Sequence, residues 1–318
     1  MIDILLATYN GEKYIEEQIE SIFKQTYTDW KLIIRDDGSN DSTEKILDSL
    51  EEKHPDKITV VRDADKNLGC IGNFSRLMTI SDADYTMFCD QDDVWLSDKI
   101  QLTLEEMKRV EKEGKPALVH SDLTVTDAEL MPVSASFVAG CAYSPLPKTA
   151  AGLFLGNSVT GCTVMINRAL RELAGEIPKG ALMHDQYLAL LALSFGSMGF
   201  VNTPLELYRQ HGSNVCGANR SSALEKLKKM LSIKNWKAAI ARTGAEINKN
   251  LDQVKLIYDL YSSRMSDQVR VVYDEALNIQ KLSCFKRINT LKRMNMLPVK
   301  CYERMAAKLY FITAAVEK

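Results

Sequence analysis

The sequence of 318 residues lacks the patterns of several common protein classes. Its seven cysteines are scattered without a Cys-x-x-Cys pair, which argues against a disulfide framework or a zinc site and for free thiols. The longest mostly apolar run, residues 188–201, is too short and too broken by glycine to span a bilayer. No basic segment precedes the first apolar residues, so we expect no signal peptide and a cytoplasmic protein.

Two common nucleotide-binding motifs are also missing. No Gly-x-Gly-x-x-Gly follows the first predicted strand, which weakens the case for a dinucleotide-dependent dehydrogenase. No Gly-x-x-x-x-Gly-Lys-[Ser/Thr] occurs, which excludes a P-loop of the standard form. If the protein binds a nucleotide, other residues must hold its phosphates.

Charge is distributed unevenly along the chain. Residues 221–318 contain 19 Lys and Arg against 9 Asp and Glu, whereas residues 1–220 contain 21 against 33. Such asymmetry predicts two regions with different partners. We therefore predict a catalytic domain over 1–220 and a basic, amphipathic, α-helical domain over 221–318.

Four short apolar runs alternate with helical patterns in the first part of the chain. The predicted strands are residues 2–7, 30–34, 58–61 and 85–89, and each leads into a polar loop and then a helix. This alternation predicts an α/β fold with a doubly wound, mostly parallel sheet flanked by helices. The carboxyl ends of such strands form the edge of the sheet where ligands bind.

Three carboxylates follow the fourth predicted strand, at Asp90, Asp92 and Asp93. Acids this close repel one another unless a cation lies between them. Oxygen ligands suit Mg²⁺ or Mn²⁺, which usually also hold phosphate oxygens. We expect Asp90 and Asp92 to hold a divalent metal that carries a diphosphate. The alternative is an acidic surface turn that caps the next helix.

The loops after the first two strands have residue types suited to a nucleoside. Asp36 and Asp37 can accept from the N3–H of a pyrimidine base, and Gly38 allows a sharp turn. Thr8 and Asn10 can reach the base or the ribose. The alternative for the second loop is a turn followed by a helix cap.

Together these motifs resemble the family 2 inverting glycosyltransferases. The resemblance rests on Ala7-Thr8-Tyr9-Asn10-Gly11, Asp36-Asp37-Gly38-Ser39-Asn40-Asp41, Asn67-Leu68-Gly69 and Asp90-Gln91-Asp92-Asp93, in that order. It covers roughly residues 1–215 and implies a GT-A (Rossmann-like) fold and a nucleotide-diphosphate sugar donor. The sequences Asp90-Gln91-Asp92-Asp93-Val94-Trp95 and 208–215 resemble the bacterial rhamnosyltransferase-like branch.

The resemblance also implies roles for individual residues. The nucleotide-sugar-binding residues would be Thr8, Tyr9, Asn10, Glu12, Asp36, Asp37, Gly38, Arg62, Asn67, Gly69, Asp90, Gln91 and Arg209. The family places its catalytic base in an acidic pair at the start of a helix, where this chain has His184-Asp185. We assign the base to Asp185, since displacement at an anomeric carbon needs a carboxylate to accept the acceptor's proton. A helix cap is the alternative role for Asp185, and His184 either orients it or only packs.

Arg209 and His211 follow a short predicted strand, Leu205–Tyr208. An imidazole can add a ligand for Mn²⁺, and a guanidinium can hold a diphosphate. The predicted metal ligands are therefore Asp90, Asp92 and His211, although a single histidine is more often structural.

Residues 221–318 mix apolar and basic residues at helical spacing. We predict an α-helical bundle that packs on the catalytic domain or on a second copy of the chain. Its basic stretch around Phe285, Lys286, Lys292 and Arg293 also suits an anionic membrane surface. Nucleic acid is another partner that a basic region can have, but the glycosyltransferase motifs argue against it.

The sequence thus predicts a metal-dependent inverting glycosyltransferase that uses Mn²⁺ or Mg²⁺. We expect the donor to be a dTDP- or UDP-sugar, with L-rhamnose from dTDP-rhamnose the specific candidate. The acceptor would be a hydroxyl of a bacterial cell-surface polysaccharide or lipid-linked glycan, reached from the inner face of the cell membrane. The alternatives are a sugar-1-phosphate nucleotidyltransferase and a non-catalytic sugar-nucleotide-binding subunit.

Overall fold

A computed structural model describes residues 1–211 and 233–313, with the backbone alone for 233–235. The described residues form two compact units. The first contains residues 1–139 and 159–211, and the second contains 140–158 and 233–313. The predicted boundary at residue 220 lies outside the described residues and stays a prediction.

The first unit begins with the predicted alternation of strands and helices. Its strands β1 to β4 are parallel neighbours in the order β3-β2-β1-β4. The elements are β1 Ile2–Thr8, α1 Ile15–Phe23, β2 Trp30–Asp36, α2 Thr43–Lys53, β3 Ile58–Val61, α3 Gly69–Ile80 and β4 Tyr85–Cys89. The predicted α/β class is therefore confirmed.

Beyond β4 the sheet becomes mixed and continues in the order β4-β8-β6-β9-β5. The elements are β5 Val94–Trp95, α4 Lys99–Val110, β6 Ala117–Thr126, β7 Pro132–Ser134, β8 Met165–Asn167, α5 Arg168–Ala174, α6 His184–Phe195 and β9 Ser197–Arg209. Strand β8 is antiparallel to both β4 and β6, whereas β6 and β9 are parallel. Only three residues long, β8 enters the sheet from a long loop rather than from a βαβ crossover.

Both faces of the central strands are buried, which explains why β1 is apolar at nearly every position. Ile2, Ile4 and Leu6 pack with β2, β4 and helix α1 on one face. Leu5 and Phe88 are equally buried on the opposite face of the sheet. Strands held on both sides in this way give the loops at their carboxyl ends a rigid base.

The second unit is helical in its C-terminal part, as predicted. Its helices are α7 Ile233–Tyr261, α8 Asp267–Leu277, α9 Cys284–Arg293 and α10 Cys301–Thr313. The segment 140–158 also belongs to this unit, which the charge pattern does not predict. The segment packs there through Phe154, whose ring lies 4.7 Å from that of Tyr273. No helix in the described ranges is both long and apolar enough to cross a membrane.

Gly196 joins α6 to β9 at a point where the backbone passes close to that of Pro116. Ser197 donates a backbone hydrogen bond to the Pro116 carbonyl, which starts the pairing of β9 with β6. A Cβ at Gly196 would lie 1.8 Å from that same carbonyl oxygen. Only glycine lets the chain pass here without displacing β6.

We expect Gly196→Ala to destabilise the protein by about 2 kcal/mol or more, because backbone cannot move aside as a flexible side chain can. The thermal unfolding midpoint measures the effect. Gly140→Ala is the control, since a Cβ there would have no heavy atom within 4 Å. Equal midpoints for the two variants would contradict the prediction.

Candidate active site

The loops after β1 and β4 are joined through Gln91. Its side-chain oxygen accepts hydrogen bonds from the Thr8 hydroxyl at 2.5 Å and from the Tyr9 amide at 2.9 Å. Its side-chain nitrogen donates to the Tyr9 carbonyl. A Cβ at Gly11 would lie 2.4 Å from the same Gln91 oxygen, so a larger residue there would displace the Gln91 side chain. Gln91 therefore fixes the position of the first loop beside Asp90.

The loops after β1 and β2 are tied together in the same way. The Asn10 amide donates to the Ser39 hydroxyl at 2.7 Å, and the Asn40 amide donates to the Asn10 side chain at 2.9 Å. Glu12 accepts from the Ser42 amide at 2.8 Å. These contacts bring the predicted nucleoside-binding residues of both loops to one edge of the sheet.

Asp36 and Asp37 have different surroundings. Asp36 accepts hydrogen bonds from the amides of Gly38 and Ser39, and Gly38 has a φ of 93°, which only glycine adopts easily. Asp37 is buried and accepts from the amides of Leu68 and Gly69 at 2.9 and 2.8 Å. The Asp37 carboxylate thus holds the first turn of α3 against β2.

Arg35 and Arg62 also differ in their contacts. The buried Arg35 guanidinium contacts Asp37 at 3.1 Å and Asp63 at 2.9 Å, so it supports the second loop from below. Arg62 instead pairs with Asp48 and Glu51 of α2. The side-chain contacts of Arg62 are thus with α2 and the Val60 carbonyl, and none of them is with another predicted nucleotide-binding residue.

The acids after β4 form the centre of the site. Ligand atoms of Asp90, Asp93 and Cys162 lie within 4.8 Å of one another. Burial raises the pKa of the Asp90 carboxyl to about 8, with further contributions from the charges of Asp92, Glu206 and Asp185. Asp185 is therefore close enough to Asp90 for the two charges to interact.

A buried ion pair lies next to this acidic centre. The Lys99 ammonium pairs with Glu206, donates to the Cys162 carbonyl at 2.7 Å and lies 4.0 Å from the centre of the Trp95 ring. Asp93 accepts from the Arg209 amide, while its second oxygen has no hydrogen-bond partner among the described residues. Burial and the negative charge of Glu206 raise the pKa of Asp93.

Asp92 points to a different neighbour, His211. The Asp92 carboxylate oxygen and the His211 Nε2 are 2.7 Å apart, and the His211 ring lies 5.0 Å from that of Tyr14. The Arg209 guanidinium bonds the carbonyls of Asp92 and Ala128 and pairs with Glu17. Arg209 therefore links the loop after β4 to helix α1 through these contacts. This structural role is additional to the predicted contact with a diphosphate.

Helix α6 begins with His184 and Asp185, as predicted. His184 is buried against Phe74 and Phe88, and neither ring nitrogen has a hydrogen-bond partner in the described chain. Burial lowers its pKa to about 4, so the imidazole is neutral at pH 7. Asp185 lies in the first turn of the helix, where the amide dipoles favour a carboxylate.

The residues of this centre suit a divalent cation. Asp90, Asp92, Asp93 and Glu206 bring four carboxylates near one ammonium, which leaves excess negative charge in a largely buried place. The unpartnered Asp93 oxygen is a ready ligand atom. Carboxylate and imidazole donors fit Mn²⁺, and carboxylates alone fit Mg²⁺.

The prediction from sequence missed several members of this centre. The sequence marks Asp93 only as part of an acidic run, and it does not point to Cys162, Lys99 or Glu206 as members of the site. Glu206 offered one signal, because it is a charged residue inside the otherwise apolar strand Leu205–Tyr208. Nothing comparable distinguished Lys99 at the start of an amphipathic helix.

Several known proteins are similar to this chain in sequence. The model of the family described as "Glycosyl transferase family 2" matches residues 3–114. The chain is 30% identical over 227 residues to "dTDP-rhamnosyl transferase RfbG" of Shigella flexneri, which covers 68% of this chain and 75% of the relative. It is 29% identical over 231 residues to "Putative teichuronic acid biosynthesis glycosyltransferase TuaG" of Bacillus subtilis, which covers 71% and 85%.

Among solved structures, the chain resembles S. aureus TarS 1-349, crystallised in complex with UDP-GlcNAc. The TM-score is 0.54 at 14% sequence identity, and the alignment covers 98% of this chain and 90% of the other. At that identity the likeness concerns the fold alone.

The raised pKa of Asp90 predicts how stability changes with pH. The folded protein keeps this proton up to about pH 8, whereas an unfolded aspartate loses it near pH ~4. The stability that this carboxyl contributes is therefore complete below about pH 4 and is lost as pH rises to about 8. We expect Asp90→Asn to lessen the fall in thermal midpoint over this range, measured in a metal chelator, with a gain of about 2 °C or more near pH 8.

Asp84→Asn is the control for this experiment, because Asp84 is an exposed carboxylate paired with Arg168. Its pH profile should follow that of the unaltered protein. If Asp90→Asn also follows it, burial of Asp90 does not govern the pH dependence.

Proposed function

The chain belongs to the family 2 glycosyltransferases and has a GT-A fold, and from this we propose that it is a metal-dependent inverting glycosyltransferase. Its donor is a nucleotide-diphosphate sugar, and its acceptor is a hydroxyl of a cell-surface polysaccharide or lipid-linked glycan. The observation that carries the proposal is the cluster of acids at the end of β4, where ligand atoms of Asp90, Asp93 and Cys162 lie within 4.8 Å of one another and Asp92 faces His211.

The donor is held by the loops that follow β1, β2 and β4. Thr8, Tyr9, Asn10 and Glu12 lie in the first loop, Asp36 to Gly38 in the second, and Asp90 and Gln91 in the third. Each of the two carboxylates accepts from two amides. Asp36 is the better candidate for the base, because it is partly exposed whereas Asp37 is buried and paired with Arg35. The rhamnosyltransferase name of the RfbG relative supports dTDP-L-rhamnose as the donor, over a UDP-sugar.

Asp185 acts as the catalytic base. Its carboxylate accepts the proton of the acceptor hydroxyl while the acceptor oxygen attacks the anomeric carbon and the bond to the diphosphate breaks. Attack opposite the leaving group inverts the configuration at that carbon. The start of α6 suits this role, since it fixes the carboxylate on a rigid element near Asp90.

Asp90, Asp92 and His211 hold the divalent cation, with Asp93 and Cys162 close to Asp90. When bound, Mn²⁺ or Mg²⁺ supplies positive charge for the departing diphosphate. Without this cation, the acids of the site would repel the negatively charged diphosphate of the donor. Asp92 and His211 already face each other, so their side chains need little rearrangement to share a ligand.

The site of action is the cytoplasmic face of the cell membrane. A lipid-linked acceptor would favour peripheral contact of the second unit with that membrane. We also include association of two copies of the chain as a homodimer. The relative named for teichuronic acid biosynthesis supports an acceptor in cell-envelope polysaccharide. Family membership favours sugar transfer over nucleotidyl transfer and over a non-catalytic binding role.

We expect Asp185→Asn to lower turnover by about 10²–10⁴-fold while nucleotide affinity stays within about threefold, since the amide cannot accept the proton. Mn²⁺-dependent hydrolysis and transfer are measured across a panel of dTDP-, UDP- and GDP-sugars, with nucleotide binding measured separately. Asp84→Asn serves as the matched control. Retained turnover in Asp185→Asn would refute its role as the base, and absence of turnover with every donor would refute the proposed reaction.

We expect His211→Ala to weaken Mn²⁺ binding by about tenfold or more, because the cation loses an imidazole ligand or the group that orients Asp92. The measurement is the Mn²⁺ concentration at half-maximal thermal stabilisation in the presence of dTDP. His54→Ala is the control, since His54 packs against Phe23 away from the acids. The same Mn²⁺ dependence in both variants would exclude His211 from the cation site.

A further inference from the structure

The basic stretch of the second unit divides into an inward and an outward part. From Ile279 to Lys300 the chain has six Lys and Arg residues and no Asp or Glu. The sequence alone cannot say which of these cations are available to a partner. Helix α9, Cys284–Arg293, contains most of them and separates them by face.

The inward face of α9 fixes the helix in the unit. Arg287 is fully buried and donates to the carbonyls of Phe311 and Gln280. Leu291 is buried on the same side. Arg287 is therefore a structural residue that cannot meet an outside partner.

The outward face presents an aromatic ring among cations. Phe285 is 73% exposed, the highest value for a large apolar residue in the described chain. Its ring lies on the ridge that includes Asn289 and Lys292, and Lys286 and Arg293 form the adjacent ridge, because these residues are three, four or seven apart. We call these five residues the α9 face.

Acids of helix α8 limit the charge of this face. Asp274 and Glu275 lie across a shallow groove from it, and Glu275 pairs with Arg293 at 2.8 Å. Lys286 and Lys292 are in no ion pair with another described residue. The net charge of the α9 face is positive, and Glu275 is the acid that most directly reduces it.

We propose that the α9 face docks the protein on an anionic membrane surface. Lysines at the level of the lipid headgroups are attracted by the negative surface potential, while Phe285 enters the apolar boundary beneath them. A soluble polyanion would use the lysines but would leave the Phe285 ring in water. This assigns to particular residues the membrane contact proposed above, and it does not depend on which sugar is transferred.

The test measures sedimentation of the full chain with vesicles of phosphatidylcholine containing phosphatidylglycerol, or of phosphatidylcholine alone. We expect binding only to the anionic vesicles, and a decrease of about thirtyfold or more for Lys286→Glu with Lys292→Glu. Phe285→Ser should weaken binding while leaving its salt dependence unchanged. Glu275→Gln should strengthen binding by about fivefold, because it frees Arg293.

Lys108→Glu with Lys112→Glu is the matched control, since it makes the same charge change on exposed residues of the first unit. It should bind vesicles as the unaltered chain does. Equal losses in both double variants would show a general charge effect and overturn the proposal. Full vesicle binding after the α9 substitutions would also overturn the proposal. The same holds if the chain binds single-stranded DNA or dextran sulfate equally tightly and Phe285→Ser does not affect that binding.

Sugar transfer to a soluble acceptor separates this inference from the proposed function. The α9 variants should retain it, since none of the α9 face belongs to the catalytic residues. Transfer without vesicle binding would refute the α9 face alone, and vesicle binding without transfer would refute the glycosyltransferase assignment of the site alone.

Discussion

Repulsion among carboxylates at the end of β4 is the constraint on which this site depends. Asp93 is buried and Asp90 is partly buried, and the charges of Asp92 and Glu206 lie near both. Carboxylates removed from water favour their protonated forms unless positive charge is supplied. The Lys99 ammonium supplies part of it, and the cation of the proposed function would offset the remaining negative charge.

Such an arrangement needs a rigid support, and the sheet provides it. Strand β4 lies between β1 and β8 and both of its faces are buried. The acids at its end therefore cannot move away from one another to relieve their repulsion. Gln91 joins β4 to the β1 loop, and Lys99 joins α4 to β9 and to the turn at Cys162. The hydrogen bonds that hold the acids close also connect the loops that we propose as the donor site.

Much of the fold and the general place of the site were predictable from sequence, because both follow from local patterns. Apolar runs of four to six residues predict β1 to β4 to within two residues, and parallel strands bring their carboxyl ends together whatever the loops contain. The start of α6 at His184 was also predicted correctly. The antiparallel direction of β8 was not predicted, because a strand of three residues carries no signal of its direction in the sheet.

What the sequence could not supply is the choice of partner for each polar side chain. Arg62 and Asp63 are adjacent, yet one pairs with α2 and the other faces Arg35, a difference set by the direction of the side chains after β3. In the same way Asp36 holds its own turn while Asp37 holds the first turn of α3. A motif therefore locates a site, and burial and hydrogen bonding then decide which of its residues remain able to meet a ligand.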